Sequence, residues 1–381
     1  MKVVHVITGL GDGGAEAVLY RLCLHDAANH HVVISLMDAG KYGPLLGEAG
    51  ITVHCLNMPR GRATMRGFLR LVRLLREARS DVVQTWMYHA DLLGGAAARL
   101  AGVRRVCWGV HNSTLEPGRS RHSTILVARL CAWLSRVLPS AVVCCSERGA
   151  QVHQALGYVP AKFVVIPNGY DLERFSPNVA ARAAVRQELG IEDNEPLVGM
   201  VGRYDPQKDH EGLLDALALL VRHGREFKCL LVGRGMDPEN RALLRAIRVR
   251  GLDAHVRLLG LRNDIPDVMN ALDVHILSSA YGEAFPNVLS EAMACGTPCV
   301  TTDVGDAAMI VGDTGWVVPP RYPEALAQAL VQALEAREDA VGWKQRQAAC
   351  RTRIQALFGI ERMVAAYRDL WGRDAKGPGD T

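Results

Sequence analysis

The sequence lacks a long uncharged hydrophobic run, although 49% of its 381 residues are hydrophobic. A membrane-spanning helix needs roughly 18 or more consecutive apolar residues, and no stretch of the sequence reaches that length. The nearest approach, residues 124–145, is interrupted by Arg129 and Arg136. We therefore predict a chain that does not cross a membrane. Because the sequence opens on the strand-like residues 2–7, it also indicates no signal peptide.

Zinc-type cysteine spacing and a large net charge are also missing. Ten cysteines are present, but the adjacent pair Cys144 and Cys145 has no partner at the C-x-x-C spacing of zinc sites. Several cysteines lie in apolar runs, where we expect small buried side chains in a reducing cytosol. The net charge of +4 is too small to indicate nucleic acid binding by itself.

The first half of the chain alternates short β-branched runs with helix-patterned segments. Such alternation is typical of a parallel sheet that helices cover on both faces. The predicted strands are residues 2–7, 31–36, 51–55, 81–85, 104–109, 141–145 and 163–166. Helix-like stretches lie between them at 15–28, 66–79, 89–100 and 147–156.

A cluster of turn residues near 168–180 separates this half from a second alternating half. The second set of predicted strands is 197–201, 228–232, 255–259, 273–277, 298–302 and 315–318. We therefore predict an α/β fold with two Rossmann-like, doubly wound domains. The first comprises residues 1–167 and an amphipathic C-terminal helix at about 358–372, and the second comprises residues 168–357.

A glycine-rich loop follows the first predicted strand and opens a helix. Gly9, Gly11 and Gly14 satisfy the G-x-G-x-x-G dinucleotide fingerprint, and Asp38 follows the second strand, where a ribose-binding acid belongs. The loop is therefore compatible with an NAD-dependent oxidoreductase. It is equally compatible with a tight turn that needs glycine, or with another anion site at a helix N-terminus.

Basic residues follow strands of the second half. Arg203 comes directly after Gly202 at a strand end, with Lys208 five residues later, and two cations on such a loop can clamp a diphosphate. Arg262 follows another strand, where its guanidinium can stack on a nucleobase. Each of these side chains could instead face solvent as an ordinary surface charge.

Two glutamates eight positions apart form the most specific pattern. Glu283 and Glu291 flank a predicted helix start at Asn287, within an otherwise apolar segment. The free amides of that helix point toward a phosphate, and Glu291 can accept bonds from vicinal hydroxyls. We expect a carboxylate in so apolar a segment to have an ion-pair or hydrogen-bond partner, because charged groups are rarely buried without one.

With these motifs in place, the chain resembles the retaining glycosyltransferases of family four, of the bacterial polysaccharide and lipid-linked glycan type, which have the GT-B fold. The resemblance covers nearly the whole chain. It rests on the glycine loop, the His111-Asn112 turn, the 167–171 linker, Gly202-Arg203 with Lys208, the Glu283/Glu291 pair and Gly296-Thr297-Pro298.

The resemblance implies a site for a nucleotide-diphosphate sugar, with uridine favoured over guanosine, in a cleft between the two domains. Arg203 and Lys208 would hold the diphosphate, Glu291 the ribose, and Glu283 a hydroxyl of the transferred sugar. Gly202, Arg262, Phe285, Asn287 and Val288 would complete the donor site.

The resemblance also implies roles for the first domain. Gly13 and Gly14 would close on the diphosphate, and His111 would lie near the sugar or the acceptor. The C-terminal helix would cross back to this domain. Neither a metal nor another cofactor is expected, which fits the lack of a D-x-D-like acidic pair. A sugar-nucleotide epimerase of the same fold and the oxidoreductase remain alternatives.

The expected acceptor is a glycan or a lipid-linked sugar, and no nucleic acid partner is expected. Between Arg60 and Arg79 the sequence carries seven arginines interleaved with apolar residues. Such a basic amphipathic segment can lie on an anionic membrane surface, or its apolar stripe can pack on the sheet. We accordingly expect a cytoplasmic protein, with peripheral association at the inner face of the membrane if the first alternative holds.

Overall fold

The computed structural model describes residues 1–112, 115 and 122–373. The chain forms two compact units. The first contains Met1–Gly169 together with Ile360–Thr381, and the second contains Tyr170–Gly359. Among the described residues, no helix combines the length and the apolar character that a membrane crossing requires.

The first unit is built on a seven-stranded parallel sheet with the order β3-β2-β1-β4-β5-β6-β7. Side chains of β1 alternate between two cores, with Val4 and Val6 on one face and Val3 and Ile7 on the other. The strands are β1 Lys2–Ile7, β2 His30–Ser35, β3 Thr52–Cys55, β4 Val82–Trp86, β5 Arg105–Val110, β6 Ala141–Cys144 and β7 Phe163–Val165.

Helices cover both faces of this sheet. One face carries α3, α4 and α5, which pack side by side in that order. The other carries α1 and α2. The helices are α1 Gly14–His25, α2 Tyr42–Glu48, α3 Met65–Ala78, α4 Tyr88–Leu100, α5 His122–Leu134 and α6 Glu147–Ala155.

The last helix of the chain, α15 (Ile360–Gly372), belongs to the first unit, as predicted. It packs on α1 and buries Tyr367 and Trp371 in the core. The indole of Trp371 donates to Gln84 at 3.3 Å, and Arg368 pairs with the buried Asp26 at 2.6 Å. Burial of apolar surface and two long-range polar contacts therefore hold the helix against the unit.

The second unit repeats the arrangement with a six-stranded parallel sheet in the order β10-β9-β8-β11-β12-β13. The strands are β8 Leu197–Val201, β9 Lys228–Val232, β10 Val256–Gly260, β11 Val274–Leu277, β12 Cys299–Thr302 and β13 Trp316–Val318. Its helices are α7 Val179–Glu188, α8 His210–Arg222, α9 Arg241–Val249, α10 Ile265–Ala271, α11 Asn287–Ala294, α12 Ala307–Val311, α13 Pro323–Glu338 and α14 Ala340–Phe358.

The strand order has one functional consequence. In each sheet the winding reverses beside the first strand, between β1 and β4 in one unit and between β8 and β11 in the other. Ligands of doubly wound sheets bind outside the carboxyl ends of the strands at that reversal. The fold therefore marks the loops after these four strands as candidate sites.

A buried charge network holds the second unit together. Asp273 accepts from the Leu197 amide at 2.8 Å and pairs with Arg182 at 2.7 Å and Arg337 at 3.1 Å. The fully buried Arg186 lies 3.8 Å from the same carboxylate and donates to backbone carbonyls. Removing the carboxylate would leave buried guanidinium groups without their counter-charge.

We predict that Asp273→Ala lowers the melting temperature by about 10 °C, because breaking a buried charge network costs about 3–5 kcal/mol. Differential scanning calorimetry measures this. The matched control is Asp253→Ala, which removes an exposed carboxylate 3.7 Å from Arg248 and should shift the transition by less than about 2 °C. Equal shifts for the two variants would contradict the assignment.

Candidate active site

The loop after β8 presents the first predicted cation. Arg203 is 59% exposed and is oriented by its neighbours, with Nε 3.0 Å from Asp205 Oδ2 and Nη2 3.1 Å from Gln207 Oε1. Asp205 in turn accepts from the Gln207 amide at 2.9 Å. The loop therefore holds an exposed guanidinium in a defined orientation at the carboxyl end of the sheet.

Close backbone packing shapes this loop. Gly233, after β9, has a φ of +139°, and a Cβ atom there would lie 1.6 Å from the carbonyl oxygen of Gly202. Only glycine fits this contact. The carboxyl ends of β8 and β9 are thereby brought together directly beneath Arg203.

Lys208 and Glu283 come together as an ion pair. Lys208 Nζ lies 2.6 Å from Glu283 Oε1, and the two side chains are only 12% and 10% exposed. Ser279 Oγ also donates to Glu283 Oε1, at 2.6 Å. The carboxylate predicted to need a partner therefore has two, and its position is set by both.

Ser279 belongs to no motif of the sequence and was not predicted as a site residue. Its signal is its position, since it follows β11, the strand next to β8, at the edge where ligand-binding residues of such sheets gather. Serine is too common in loops for this position to stand out until strand order is known.

Two buried histidines lie close enough to Lys208 to be affected by its charge. His275, in β11, is fully buried, and burial and then the charge of Lys208 lower its pKa to about 3. His210, at the start of α8, has its pKa lowered to about 4 by burial and by Lys208. Both rings are therefore neutral near pH 7, which leaves Lys208 as the cation of the cluster.

The start of α11 lies directly after Glu283 in the chain. Asn287 accepts a hydrogen bond from the hydroxyl of Tyr170 at 2.5 Å, and Phe285 stacks on the Tyr170 ring. Among the described residues, no side chain caps α11. Val288 and Glu291 are half-buried on its first turns. A helix N-terminus of this kind suits an anion.

Arg262 is held by four hydrogen bonds. Its guanidinium binds Glu188 at 2.6 and 3.0 Å and Asp264 at 2.5 and 2.8 Å. These bonds raise its pKa above the ordinary range. The side chain is therefore fixed and charged, and its predicted contact with a nucleobase would use the face of the guanidinium.

In the first unit, the glycine loop leads from β1 into α1. Gly13 is the N-cap, and a Cβ atom there would meet Glu16 Oε2 at 2.3 Å. Gly14 is the first residue of the helix. The Glu16 side chain thus folds back over the helix start.

A cavity of about 630 Å³ opens beside this loop. Its lining is mostly apolar, with charged side chains from Glu16, Asp38, Arg60 and Arg62. Asp38 lies here, as a ribose-binding acid would, but so do the two arginines. A cavity with an apolar lining and few polar groups is typical of a small-molecule site.

His111 follows β5 and stacks on Trp86, with ring centroids 5.2 Å apart. Burial lowers its pKa to about 4, so the imidazole is neutral near pH 7. Within the described part of the chain, His111 Nε2 has no hydrogen-bond partner. This nitrogen is buried from solvent, and a contact of His111 with the sugar or the acceptor stays a prediction.

Comparison with known proteins identifies the chain. Residues 12–174 match the family described as "Glycosyltransferase Family 4", and residues 195–336 match "Glycosyl transferases group 1". A 2-deoxystreptamine glucosyltransferase of Streptomyces kanamyceticus is 31% identical over 67% of this chain and 71% of that protein. The chain belongs to glycosyltransferase family 4.

Further relatives support this membership. "UDP-Gal:alpha-D-GlcNAc-diphosphoundecaprenol alpha-1,3-galactosyltransferase" of Escherichia coli is 28% identical over 81% of this chain and 79% of that protein. The structure of Anabaena Alr3699/HepE in complex with UDP and glucose is 24% identical, with a TM-score of 0.84 over 97% of this chain and 98% of that one. The predicted GT-B fold and the predicted glycosyltransferase are confirmed. The comparisons give no support to the oxidoreductase or the epimerase.

For this family member, the structure brings some predicted residues together and leaves others apart. Arg203, Lys208 and Glu283 share one edge of the second unit, with α11 close in the chain. Arg262 lies in its own carboxylate cluster. Gly13, Gly14 and His111 belong to the first unit, and their part in substrate binding stays a prediction.

One cluster of the glycosyltransferase has the composition of a metal site. Within the described ranges, His5, Cys23 and His31 are the one group of three such side chains with their ligand atoms within 4.8 Å. The indole of Trp86 donates to His5 Nδ1 at 3.2 Å, so a neutral His5 carries its proton on Nε2, which lies 2.9 Å from His31 Nδ1. A metal-bound histidine normally donates from its second nitrogen. The hydrogen bonds therefore fit a structural chain better than an ion.

The buried histidines predict a pH dependence of stability. Their folded pKa values, about 3 for His275 and about 4 for His210, lie below the ordinary value of 6.5. Above pH 6.5 both histidines are neutral in the folded and in the unfolded protein, so they do not lower the free energy of unfolding. As pH falls from 6.5 toward 4, they take up protons only in the unfolded protein, and the free energy of unfolding decreases.

We expect the melting temperature to fall more steeply from pH 7 to pH 4 in the wild type than in His275→Gln. One buried histidine contributes up to about 1.4 kcal/mol per pH unit. The control His223→Gln, at an exposed position, should follow the wild-type profile. Parallel profiles for the wild type and His275→Gln would contradict the role of this histidine.

Proposed function

We propose that the protein is a retaining glycosyltransferase that moves a hexose or N-acetylhexosamine from a UDP-sugar to a glycan or lipid-linked acceptor. The observation that carries the proposal is the Lys208–Glu283 ion pair beside the exposed Arg203, at the sheet edge where doubly wound units bind ligands. The names of the E. coli relative and of the Anabaena complexes support a uridine donor.

In this proposal the two cations stabilise the leaving group. As the bond between the anomeric carbon and the diphosphate breaks, negative charge grows on the phosphate oxygens. Arg203 supplies planar, oriented N–H donors, and Lys208 supplies a compact charge that Glu283 holds in place. Donors fixed before the reaction need no reorganisation, which is the source of their effect on the rate.

The carboxylates and α11 bind the rest of the donor. Glu291 accepts bonds from the ribose hydroxyls, and Glu283 from a hydroxyl of the transferred sugar. The amides from Phe285 to Val288 contact sugar and phosphate, with Asn287 kept in place by Tyr170. In this proposal Arg203 and Lys208 contact the diphosphate, and no metal or other cofactor takes part.

The acceptor is bound by the first unit in this proposal. Its cavity combines an apolar lining with Arg60 and Arg62 and with the acids Glu16 and Asp38; the arginines and the apolar lining suit a sugar linked through phosphate to a lipid. His111 offers a neutral ring nitrogen to the sugar or the acceptor. Such acceptors place the enzyme in polysaccharide or lipopolysaccharide synthesis, on the cytoplasmic face of the membrane.

We predict that UDP binds the purified protein and that Glu291→Ala weakens binding by about tenfold or more, through loss of charged hydrogen bonds to the ribose. Isothermal titration calorimetry measures the affinity, with the exposed Glu226→Ala as a control that should bind like the wild type. GDP and NADH are titrated in parallel. Tight NADH binding that is the same in the wild type and in Glu291→Ala would overturn the proposal.

We predict that Arg203→Ala lowers turnover of a confirmed donor by about 100-fold or more, since a preorganised donor to the leaving group is lost. Initial rates of nucleoside diphosphate release report the change. Arg248→Ala serves as the control, because this exposed arginine pairs only loosely with Asp253, at 3.7 Å. Unchanged turnover in Arg203→Ala would refute leaving-group stabilisation by this side chain.

A further inference from the structure

The structure changes the interpretation of the arginine-rich helix α3. Its apolar stripe is buried in the core, with Leu71, Val72 and Leu75 packed under the helix. The exposed side consists mainly of arginines, with Met65 and Leu69 at its start. Helix α3 therefore offers charge to a membrane but little apolar surface that could enter one.

The apolar surface lies on α5 instead. Leu126 is 70% exposed, Trp133 64% and Val137 66%, and Leu130 is exposed as well. Their spacing of three or four residues puts them on one stripe that continues just past the end of the helix. We call this stripe, with the exposed Arg129 and Arg136, the α5 face.

An exposed apolar stripe of this kind needs an explanation. Single exposed hydrophobic residues are normal on a protein surface. In the second unit they are more widely spaced: α7 carries Val179 alone, Leu244 and Val249 are five positions apart in α9, and Val341 and Leu357 lie near opposite ends of α14. On the α5 face, Leu126, Leu130 and Trp133 share one side of a single helix, and the exposed Val137 follows three residues after its end. This cluster of exposed apolar side chains indicates a surface that is covered in the functional state of the protein.

The charge of the α5 face identifies what covers it. Arg129 and Arg136 lie among the apolar side chains, and the sequence has no acidic residue between Glu116 and Glu147. Tryptophan beside leucine and arginine is typical of helices that lie in the headgroup layer of a bilayer. The combination matches an anionic lipid surface.

Helices α3 and α5 lie in one layer. Both pack against α4 on the same face of the sheet, so their exposed sides point away from the sheet. Helix α3 adds Arg66, Arg70, Arg73 and Arg76 to that layer. The one acid of α3, Glu77, pairs with Arg73 at 2.7 Å. The outer surface of this layer is therefore strongly basic, with its apolar part on α5.

We propose that the α5 face inserts into the interface of an anionic bilayer, while the arginines of α3 bind lipid headgroups beside it. The inference sharpens the peripheral association proposed above, but it does not depend on the donor or the reaction. It assigns insertion to a segment that sequence analysis described only as an interrupted hydrophobic run.

Tryptophan fluorescence provides a direct test. The structure describes all six tryptophans, and Trp133 alone is strongly exposed; the others are buried or half-buried. We expect vesicles of brominated phosphatidylglycerol to quench the emission of the wild type. Trp133→Phe should remove the quenched component while sedimenting with the same vesicles.

Matched variants separate insertion from charge. The double variant Leu126→Ser/Leu130→Ser should lower partitioning to phosphatidylglycerol vesicles by about tenfold or more, because two side chains lose their apolar contact. Arg129→Gln/Arg136→Gln should lower it by about tenfold as well and reduce its salt dependence. Val179→Ser, which removes an equally exposed apolar residue from α7, should partition like the wild type.

Three outcomes would overturn the proposal. One is sedimentation with vesicles without quenching of Trp133, which would mean that charge alone holds the protein at the surface. Another is that Leu126→Ser/Leu130→Ser partitions to the vesicles as strongly as the wild type. The third is a lipid-free dimer, seen by sedimentation velocity, that the same variant dissociates, because the face would then bind a second copy. The UDP titration reports the proposed function separately.

Discussion

Parallel strand pairing is the constraint on which both units depend. Because every strand runs in the same direction, all carboxyl ends of a sheet meet at one edge. Residues far apart in the sequence therefore become neighbours, as Lys208 after β8 and Glu283 after β11 show. The glycines beside these strands allow the approach, and Gly233 under the Gly202 carbonyl is the tightest example.

The charges at this edge are held in place before any substrate arrives. Lys208 and Glu283 neutralise each other in a nearly buried position, while Ser279, Asp205 and Gln207 orient the charged groups around them. The desolvated histidines near Lys208 stay neutral, so they add no second positive charge. A site organised in this way suits a reaction whose main demand is stabilisation of a departing diphosphate.

The two helices α3 and α5 lie on one face of the sheet and differ in the side chains that they expose. Both bury one side in the core of the first unit, yet they present different chemistry outward. Helix α3 presents arginines, and α5 presents leucine, tryptophan and valine with two arginines between them. Acceptors carried on lipid would be reached from such a surface without a membrane-spanning segment.

The sequence by itself determined the elements and the main charges of the site. Predicted strands 197–201 and 228–232 coincide with β8 and β9, because hydrophobic runs between turn residues specify buried strands locally. Arg203 and Lys208 were predicted from their position after such a run, and Glu283 from its spacing to Glu291 within an apolar segment.

Only the tertiary structure decided which of these residues meet. The contact of Lys208 with Glu283, which also accepts from Ser279, depends on β11 lying beside β8, and strand order is a non-local property. Which side of α3 and which side of α5 face outward could likewise be seen only in the tertiary structure. An amphipathic period shows that a helix has an apolar side, but packing alone decides whether that side meets the sheet or the surroundings.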